Sequence, residues 1–248
     1  MTGARSEAGA RGHAGASSHS QGRLTADAAG GLYWEPAAET LPRERLEELQ
    51  LERLRATLAN ACENIPFYRK TMDGLGIEPG DVRERSDVAR LPLTTKIDLR
   101  DHYPFGMFAR PREQVVRVHA SSGTTGNPTT VGYTAGDIDL WADLIARTLA
   151  AGGVTPGDLL QNAFGYGLFT GGLGLHLGAE RLGCTVVPIS GGNTERQLKI
   201  MRDFGASVLS CTPSYAMYLA DAARDRGLRP EDIPLRVGFH GAEPWTNE

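Results

Sequence analysis

Hydrophobic residues follow two different patterns along the chain, and the change falls near Thr134. Before that point, leucines recur at near-helical spacing and predict one long amphipathic helix that begins near Thr40. These leucines are Leu46, Leu49, Leu54 and Leu58. The opposite face is charged, which favours a solvated surface, and the length of the helix leaves room for a homodimer.

Two strands are predicted next along the chain. Alternation of apolar and polar residues over 114–120 places Val116, Val118 and Ala120 on one face of a strand. A second strand is expected over 130–133. Because only a short polar loop separates the two, we expect them to form a hairpin.

From Thr134 onward, helices and strands alternate. Thr134 with Asp137, and Thr194 with Gln197, have the spacing of capping boxes that begin helices. The same pattern predicts helices over 172–182 and 214–226, and strands over 159–164, 184–189, 208–212 and 235–240. Strands that alternate with helices imply crossover connections and parallel pairing. The predicted fold class is therefore α/β, a mainly parallel sheet with flanking helices.

Composition places the chain among globular proteins. Of its 248 residues, 40% are hydrophobic and 23% charged, and the formal net charge is −4. That charge gives no support to a nucleic-acid or anionic-membrane partner. The chain has no apolar run of about 18 residues, the length that a membrane helix needs. Its three cysteines show neither metal-site nor disulfide spacing, so we expect reduced thiols and a cytoplasmic location.

The two ends of the chain differ from its middle. Residues 1–31 are rich in Gly, Ala, Ser and His and poor in large apolar side chains, so we expect a disordered tail. A folded domain is predicted over 32–248. The last residues follow a strand and a loop without a closing helix, which is typical of a truncation.

The clearest chemical signal is the loop over 121–129, with the sequence SSGTTGNPT. Its glycines permit the φ > 0 geometry that turns successive backbone N–H groups toward one point, and its hydroxyls add donors. Such a pocket suits a polyphosphate, and Ser or Thr can also ligate Mg²⁺. The loop is not a Walker A motif, because it contains no lysine and a strand follows it where a helix is required. Taken alone, the loop is also compatible with a flexible turn that binds nothing.

Three further stretches, taken together with this loop, point to a known family. They are LPLTTKIDLR over 91–100, GYGLFTGGLG over 165–174 and GAEPW over 241–245. In this order, the four stretches resemble the adenylate-forming enzymes, most closely the phenylacetate–coenzyme A (CoA) ligase family. The resemblance implies the truncated N-terminal domain of such an enzyme, whose C-terminal domain and catalytic lysine would lie beyond Glu248. We therefore expect no catalytic residue within the chain and no activity from the chain alone.

The resemblance also implies roles for individual residues. The phosphates of ATP would lie at Ser121, Ser122, Gly123, Thr124, Thr125 and Gly126, with Thr124 or Thr125 at Mg²⁺. The adenine would lie at Gly241, Ala242, Glu243 and Pro244. The aryl group would lie at Phe164, Tyr166, Phe169 and Pro213. The implied function is ATP-dependent ligation of phenylacetate, or a close aryl acid, to CoA through an acyl-adenylate.

Other interpretations stay open from the sequence. One is a ligase or transferase that forms adenylates from a different aryl or amino acid, and another is a non-catalytic nucleotide-binding fragment. The glycines at 172, 174 and 178 have a spacing close to a dinucleotide fingerprint, but Ser190 stands where that motif requires an acidic residue. We assign no role to three histidines that lack partners at metal or triad spacing, namely His102, His119 and His176.

Overall fold

The structure is a computed structural model, and it describes residues 24–28, 30–123 and 126–246. Eight strands and eight α-helices lie within these ranges. The prediction of disorder for residues 1–23 falls outside them. So do the two predicted magnesium ligands, Thr124 and Thr125.

The described part begins with a small antiparallel hairpin, formed by β1 (Thr25–Ala26) and β2 (Leu32–Tyr33). Its first strand lies within residues 1–31, which were predicted to be disordered, and its second strand lies just after them. The carboxylate of Asp27 stabilises it by accepting hydrogen bonds from the Gly31 N–H at 2.7 Å and the Tyr33 hydroxyl at 3.0 Å. Trp34, which follows directly, is only 4% exposed and anchors the hairpin to the core. The folded part therefore extends further toward the N-terminus than the predicted boundary.

A helical segment comes next, with α1 (Pro36–Glu39), α2 (Arg43–Asn64), α3 (Pro66–Leu75) and α4 (Lys96–Asp101). The long helix begins at Arg43 rather than near Thr40, because Pro42 has an extended ψ and serves as its N-cap residue. Its four predicted leucines are half-buried, and every side chain of α2 keeps part of its surface exposed.

The predicted hairpin is present, with β3 (Val115–Ala120) antiparallel to β4 (Thr130–Thr134). Val116 and Val118 share a face, as predicted, but that face is the exposed one, with 63% and 38% of these residues accessible. The buried face carries His119, which is 2% exposed. This face is covered because the ring of Trp141 packs against His119 there.

The remaining elements alternate as predicted. They are α5 (Ala135–Ala151), β5 (Leu159–Asn162), α6 (Thr170–Leu182), β6 (Thr185–Val187), α7 (Thr194–Asp203), β7 (Val208–Cys211), α8 (Pro213–Asp225) and β8 (Val237–His240). Their four strands form one parallel sheet in the order β6-β5-β7-β8. The predicted α/β class with a mainly parallel sheet is confirmed.

Two hydrophobic clusters place the sheet between layers of helices. On one face, Leu160 and Val208 of the sheet pack with Leu149 of α5 and Leu182 of α6. On the other face, the side chains come from α7, β7 and α8, and include Leu198, Met201, Leu209, Cys211 and Leu219. Because side chains alternate along a strand, neighbouring residues such as Val208 and Leu209 serve opposite layers.

One predicted helix start is wrong. The N-cap of α7 is Asn193, whose side-chain oxygen accepts a hydrogen bond from the Arg196 N–H at 3.2 Å, and not Thr194. Gln197 is fully buried and donates to the carbonyl of Ser190 at 2.6 Å instead of closing a capping box. The other box is confirmed, because the side chains and N–H groups of Thr134 and Asp137 bond reciprocally.

Candidate functional site

Three neighbouring cavities lie at the carboxyl ends of the parallel strands, where ligands bind in open α/β sheets. The hairpin cavity, about 540 Å³, lies between the β3–β4 hairpin and the start of α6. The helix cavity, about 320 Å³, lies between α5, α6 and the end of β8. The tyrosine cavity, about 420 Å³, lies beside the start of α8 and contains Tyr215 and Tyr218. Phe164 lines all three, so they form one branched cleft around this side chain.

Residues predicted for three parts of the substrates meet in the hairpin cavity. Its lining includes Ser121 from the predicted phosphate loop, Phe164 and Phe169 from the predicted aryl wall, and Ala242 from the predicted adenine segment. These residues come from positions far apart in sequence. The fold therefore brings the predicted groups to one place.

Hydrogen bonds close the loop over 121–129 at its base and near its tip. The Ser121 N–H donates to the Thr129 carbonyl at 2.9 Å, and the Thr129 N–H donates to Ser121 Oγ at 2.9 Å. Nearer the tip, the Gly126 N–H donates to the Gly123 carbonyl at 3.1 Å. Gly123 and Gly126 have φ of 66° and 128°, so the predicted glycine geometry is confirmed at both positions.

Polar groups of this loop remain unused. The N–H groups of Ser122 and Gly123 donate no hydrogen bond to another described residue. Thr129 Oγ1 is buried and likewise has no hydrogen-bond partner in the described ranges, although Thr129 lines the hairpin cavity. Buried polar groups in folded proteins are normally paired. The unpaired Thr129 Oγ1 therefore fits a polar ligand at this loop, and the N–H groups of Ser122 and Gly123 are free to bind one.

The glycine-rich segment over 165–174 shapes the wall opposite the loop. Phe164 is half-buried, and Phe169, directly before α6, is 57% exposed. A Cβ at Gly172 would collide with the backbone carbonyl of Gly165, so the first turn of α6 can approach the preceding loop only without a side chain there. These two phenylalanines give the cleft an apolar wall suited to a flat ring.

Tyr166 occupies a different place from the one predicted. Its hydroxyl accepts from the Asn162 amide at 2.7 Å and lies 3.1 Å from His176 Nδ1, and the side chain lines none of the three cavities. Burial raises the pKa of this phenol above its ordinary value. His176 in turn lies 3.0 Å from Glu180. These hydrogen bonds hold the loop to α6, and the contact of Tyr166 with the aryl group stays a prediction.

The segment after β8 is fixed to the start of α8. Glu243 accepts hydrogen bonds from the Ser214 hydroxyl at 2.9 Å and the Ser214 N–H at 3.1 Å, and these two bonds hold its pKa below the ordinary value. Ala242, at φ 69°, lines both the hairpin and helix cavities, and Gly241 lines the helix cavity. Pro244 lines none of the three cavities.

Pro213 occupies the first turn of α8, next to Thr212, whose Oγ1 accepts from the Tyr215 N–H at 3.4 Å. Thr212 and Tyr215 line the tyrosine cavity, but Pro213 itself lines none of the three. Its position in the first turn favours the start of α8, and its contact with the aryl group stays a prediction.

The two buried cysteines are poor nucleophiles. Cys211 Sγ lies 3.5 Å from His240 Nδ1, and burial raises the pKa of this thiol to about 11. Burial raises the pKa of Cys184 to about 11 as well. Both groups are therefore neutral thiols at physiological pH. The described residues also contain no group of three or more His, Cys, Asp or Glu side chains that could hold a metal ion.

His119 lies in the cleft, although we assigned it no role from the sequence. It lines the hairpin cavity two residues before Ser121, and its Nδ1 lies 2.9 Å from the Leu168 carbonyl. The signal in the sequence is a polar residue between Val118 and Ala120 on the strand that leads to the loop. Only the structure shows that this residue faces the interior.

Curated relatives match most of the chain. A phenylacetate–coenzyme A ligase of Thermus thermophilus is 58% identical over 215 residues, which are 87% of this chain and 48% of that protein. One of Escherichia coli is 55% identical over 209 residues, 84% of this chain and 48% of that protein. One of Aromatoleum evansii is 54% identical over 208 residues, 84% of this chain and 47% of that protein.

By sequence, the chain is a relative of the phenylacetate–CoA ligases. The recognition made from the four stretches is thereby confirmed. The chain spans about half the length of the ligases that it matches. No protein-family model matches it.

Solved structures agree on the fold of this phenylacetate–CoA ligase relative. A 2-hydroxyisobutyryl-CoA ligase in an open conformation, in complex with 2-HIB-AMP and CoA, aligns with a TM-score of 0.80 at 33% identity. The alignment covers 86% of this chain and 51% of that one. The same ligase in its thioesterification state gives a TM-score of 0.81 at 34% identity, over 86% of this chain and 46% of that one.

No helix in the described part of this ligase relative is both long and apolar enough to cross a bilayer.

Proposed function

We propose that this chain forms the ATP- and acid-binding part of a ligase that joins phenylacetate, or a close aryl acid, to CoA through an acyl-adenylate. One observation carries the proposal. Ser121 of the hydroxyl-rich loop and Phe169 of the apolar wall line the same cavity of about 540 Å³. A polyphosphate at the loop and an aryl ring at the wall would therefore be neighbours. The similarity to phenylacetate–CoA ligases supports this assignment.

The first reaction is attack of the acid's carboxylate on the α-phosphate of ATP, with pyrophosphate as the leaving group. It needs no general base, because a carboxylic acid of this kind is already ionised at neutral pH. The chain would contribute by holding the two substrates in position. The loop would hold the phosphates while Phe164 and Phe169 hold the ring, so that the two reacting groups approach each other.

The loop would bind phosphate through neutral donors. Among the residues that the structure describes, neither Lys nor Arg lines the hairpin cavity. The unused N–H groups of Ser122 and Gly123, and the hydroxyl hydrogen of Ser121, are the donors that the described residues offer.

The unpartnered Thr129 Oγ1 and the hydroxyls of the loop are the hard oxygen ligands that Mg²⁺ prefers. When bound, Mg²⁺ would neutralise part of the phosphate charge. Its proposed ligands are Thr124 and Thr125, together with the phosphates.

In the second reaction, the thiol of CoA attacks the carbonyl carbon of the acyl-adenylate and AMP leaves. The acyl carbon would lie near Phe164, where the three cavities join. We propose that the adenine lies against Gly241 and Ala242. Glu243 would support that segment through its bonds to Ser214 rather than touch the base. The free thiols of the chain fit the reducing cytoplasm, where we place this chemistry.

The proposal is tested with the 248-residue chain by two measurements on the same samples. The first is binding of ATP and of each acid, followed by calorimetry. The second is exchange of labelled pyrophosphate into ATP in the presence of Mg²⁺. The acids are phenylacetate, 4-hydroxyphenylacetate and phenylalanine.

Binding of ATP and phenylacetate, with or without exchange, supports the proposed site. Exchange that requires phenylalanine instead would favour the ligase for an amino acid. ATP binding that no acid accompanies would favour a nucleotide-binding fragment. Binding of neither ATP nor any acid would overturn the assignment.

A further inference from the structure

One carbonyl joins the two walls of the hairpin cavity. The Leu168 carbonyl lies 2.9 Å from His119 Nδ1 and accepts a second hydrogen bond from the Ala120 N–H at 3.0 Å. Both donors belong to the end of β3. The side chain of Leu168 contributes little, since the residue is 61% exposed. Leu168 is therefore held in place through its backbone.

The ring of His119 is oriented by this contact. A carbonyl oxygen can only accept, so Nδ1 carries the hydrogen, an assignment that follows from the partner. The ring packs edge-on against Tyr133 and Trp141, with centroid distances of 5.5 and 5.8 Å. Its Nε2 is buried and has no hydrogen-bond partner among the described residues. In the described ranges, the polar contact of this ring is thus the one to Leu168.

The two hydrogen bonds from His119 Nδ1 and the Ala120 N–H to the Leu168 carbonyl form a clamp, and this clamp lies between two parts of the cleft. On one side, Leu168 directly precedes Phe169, the exposed ring of the apolar wall. On the other side, Ala120 directly precedes Ser121, which closes the base of the phosphate loop through Thr129. The segment over 163–169 lies outside helices and strands, so its backbone depends on such individual hydrogen bonds. A shift of the loop would be passed to Phe169 through one peptide group.

We propose that His119 is a positioning residue that couples the phosphate loop to the aryl wall through its Nδ1–H bond to the Leu168 carbonyl. The inference rests on the proposed function, because it assumes that a polyphosphate and an aryl acid occupy the two sides. His119 does not touch the reacting atoms in this role. It fixes where Phe169 stands when the loop is filled.

Two variants separate the hydrogen bond from the bulk of the ring. His119→Asn retains an amide N–H close to the position of Nδ1, whereas His119→Leu fills similar space without a donor. The first readout needs no ligand and is hydrogen exchange of backbone amides over 119–121 and 168–171. We expect faster exchange in both segments for His119→Leu, and exchange near the wild-type rate for His119→Asn. Equal exchange in all three proteins would overturn the clamp.

The second readout is the coupling between ligands. The affinity for phenylacetate is measured with and without Mg²⁺ and the ATP analogue whose α,β-bridging oxygen is replaced by methylene, which blocks the reaction. In the wild type we expect the analogue to strengthen phenylacetate binding. We expect His119→Leu to weaken phenylacetate binding about fivefold to tenfold, the effect of losing one hydrogen bond. The effect of the analogue on that affinity should then be smaller than in the wild type, because only the Ala120 N–H bond to the Leu168 carbonyl remains.

The conservative variant distinguishes positioning from general stability. His119→Asn should restore both the affinity, to within about twofold, and the effect of the analogue. An unchanged coupling in His119→Leu, or a loss of coupling in both variants, would overturn the role of the Nδ1–H bond. If the wild type binds neither ligand, the proposed function fails, while the exchange measurement still decides whether the clamp exists.

Discussion

Phe169 is a large apolar residue that keeps 57% of its surface exposed and lines the hairpin cavity. Because it is not part of the core, its removal should change binding and leave folding intact. We expect Phe169→Ala to lower the affinity for phenylacetate by roughly tenfold, in line with an aromatic contact worth about 1.5 kcal/mol. The melting temperature should stay within about 2 °C of the wild type.

The neighbouring residue supplies the control. Leu168 is 61% exposed and its side chain does not line the hairpin cavity, so Leu168→Ala keeps the backbone carbonyl and should bind phenylacetate normally. Calorimetry on the two variants gives the comparison. Equal affinities for Phe169→Ala and Leu168→Ala would contradict the placement of the aryl wall.

At the scale of single residues, the sequence was most informative where chemistry and backbone geometry coincide. The positive φ of Gly123 and Gly126 was predictable because glycine adopts it freely. The hydrogen bond between His119 and Leu168 was not, since its partners lie 49 positions apart. Tyr166 shows the same limit, because an aromatic residue in a glycine-rich loop can face either the ligand or the neighbouring helix.

The glycine-bearing face of α6 gives a test at the scale of elements. A Cβ at Gly174 would collide with the ring of Trp141 on α5. We therefore expect Gly174→Ala to lower the free energy of unfolding by about 1 to 3 kcal/mol, the usual range for overpacking. Urea unfolding at 25 °C measures this change.

The matched substitution on α5 should change the free energy of unfolding in the opposite direction. At Gly136 a Cβ would meet only the Thr134 side chain, at an ordinary distance of 3.8 Å. Gly136→Ala is therefore expected to raise the free energy of unfolding by up to about 1 kcal/mol, because alanine is the better helix former. Similar destabilisation by both substitutions would contradict this expectation, because it would show that the loss at Gly174 does not depend on the contact with Trp141.

Helix starts show how far local patterns reach. The capping box of Thr134 and Asp137 was predictable since all its groups lie within four residues of each other. The same pattern failed at Thr194, because Gln197 is drawn into the core by the carbonyls of Ser190 and Gly192. A tertiary contact thus overrode a local preference.

At the scale of the whole molecule, the side chain of Asp158 connects three strands of the sheet through hydrogen bonds. Its carboxylate, at the start of β5, accepts from the Ser207 hydroxyl at 2.7 Å beside β7 and from Arg236 Nε at 3.0 Å beside β8. It also accepts from the Thr155 N–H at 2.7 Å. Burial alone would raise the pKa of Asp158, but these hydrogen bonds outweigh it and lower the pKa to about 2.

This shift predicts how stability depends on pH. A lowered pKa in the folded state means that the stabilisation is complete above the unfolded pKa of about 3.9 and is lost as pH falls toward 2. The shift corresponds to about 2 to 3 kcal/mol. We expect Asp158→Asn to reduce the free energy of unfolding strongly at pH 6 and progressively less between pH 4 and pH 2.

Urea unfolding across this pH range measures the difference between the two proteins. Asp221→Asn is the control, because Asp221 pairs with Arg224 at an exposed site on α8 and should change stability little at any pH. A deficit for Asp158→Asn that stays constant down to pH 2 would show that its charge is not what stabilises the sheet.

The fold class was predictable from the sequence, but the order of the strands in the sheet was not. Alternation of helices and strands from Thr134 onward implies parallel strands, and the sheet is parallel throughout. The order β6-β5-β7-β8 depends on which faces the helices cover, which periodicity does not encode. The exposed apolar side of β3 was likewise unpredictable, because Val116 and His119 compete for the interior and the packing of Trp141 decides the outcome.

In the ligase proposed here, the tight contact between α5 and α6 would limit how the choice of acid can change. Cβ atoms at Gly174 and Gly178 would collide with Trp141 and Ile145, so that side of the cleft has no freedom to grow inward. Room for a bulkier or more polar acid would then have to come from the other walls of the cleft, such as Phe169 and Ala242. Natural divergence and laboratory selection for new acids should therefore accumulate their substitutions on those walls and leave the two glycines untouched.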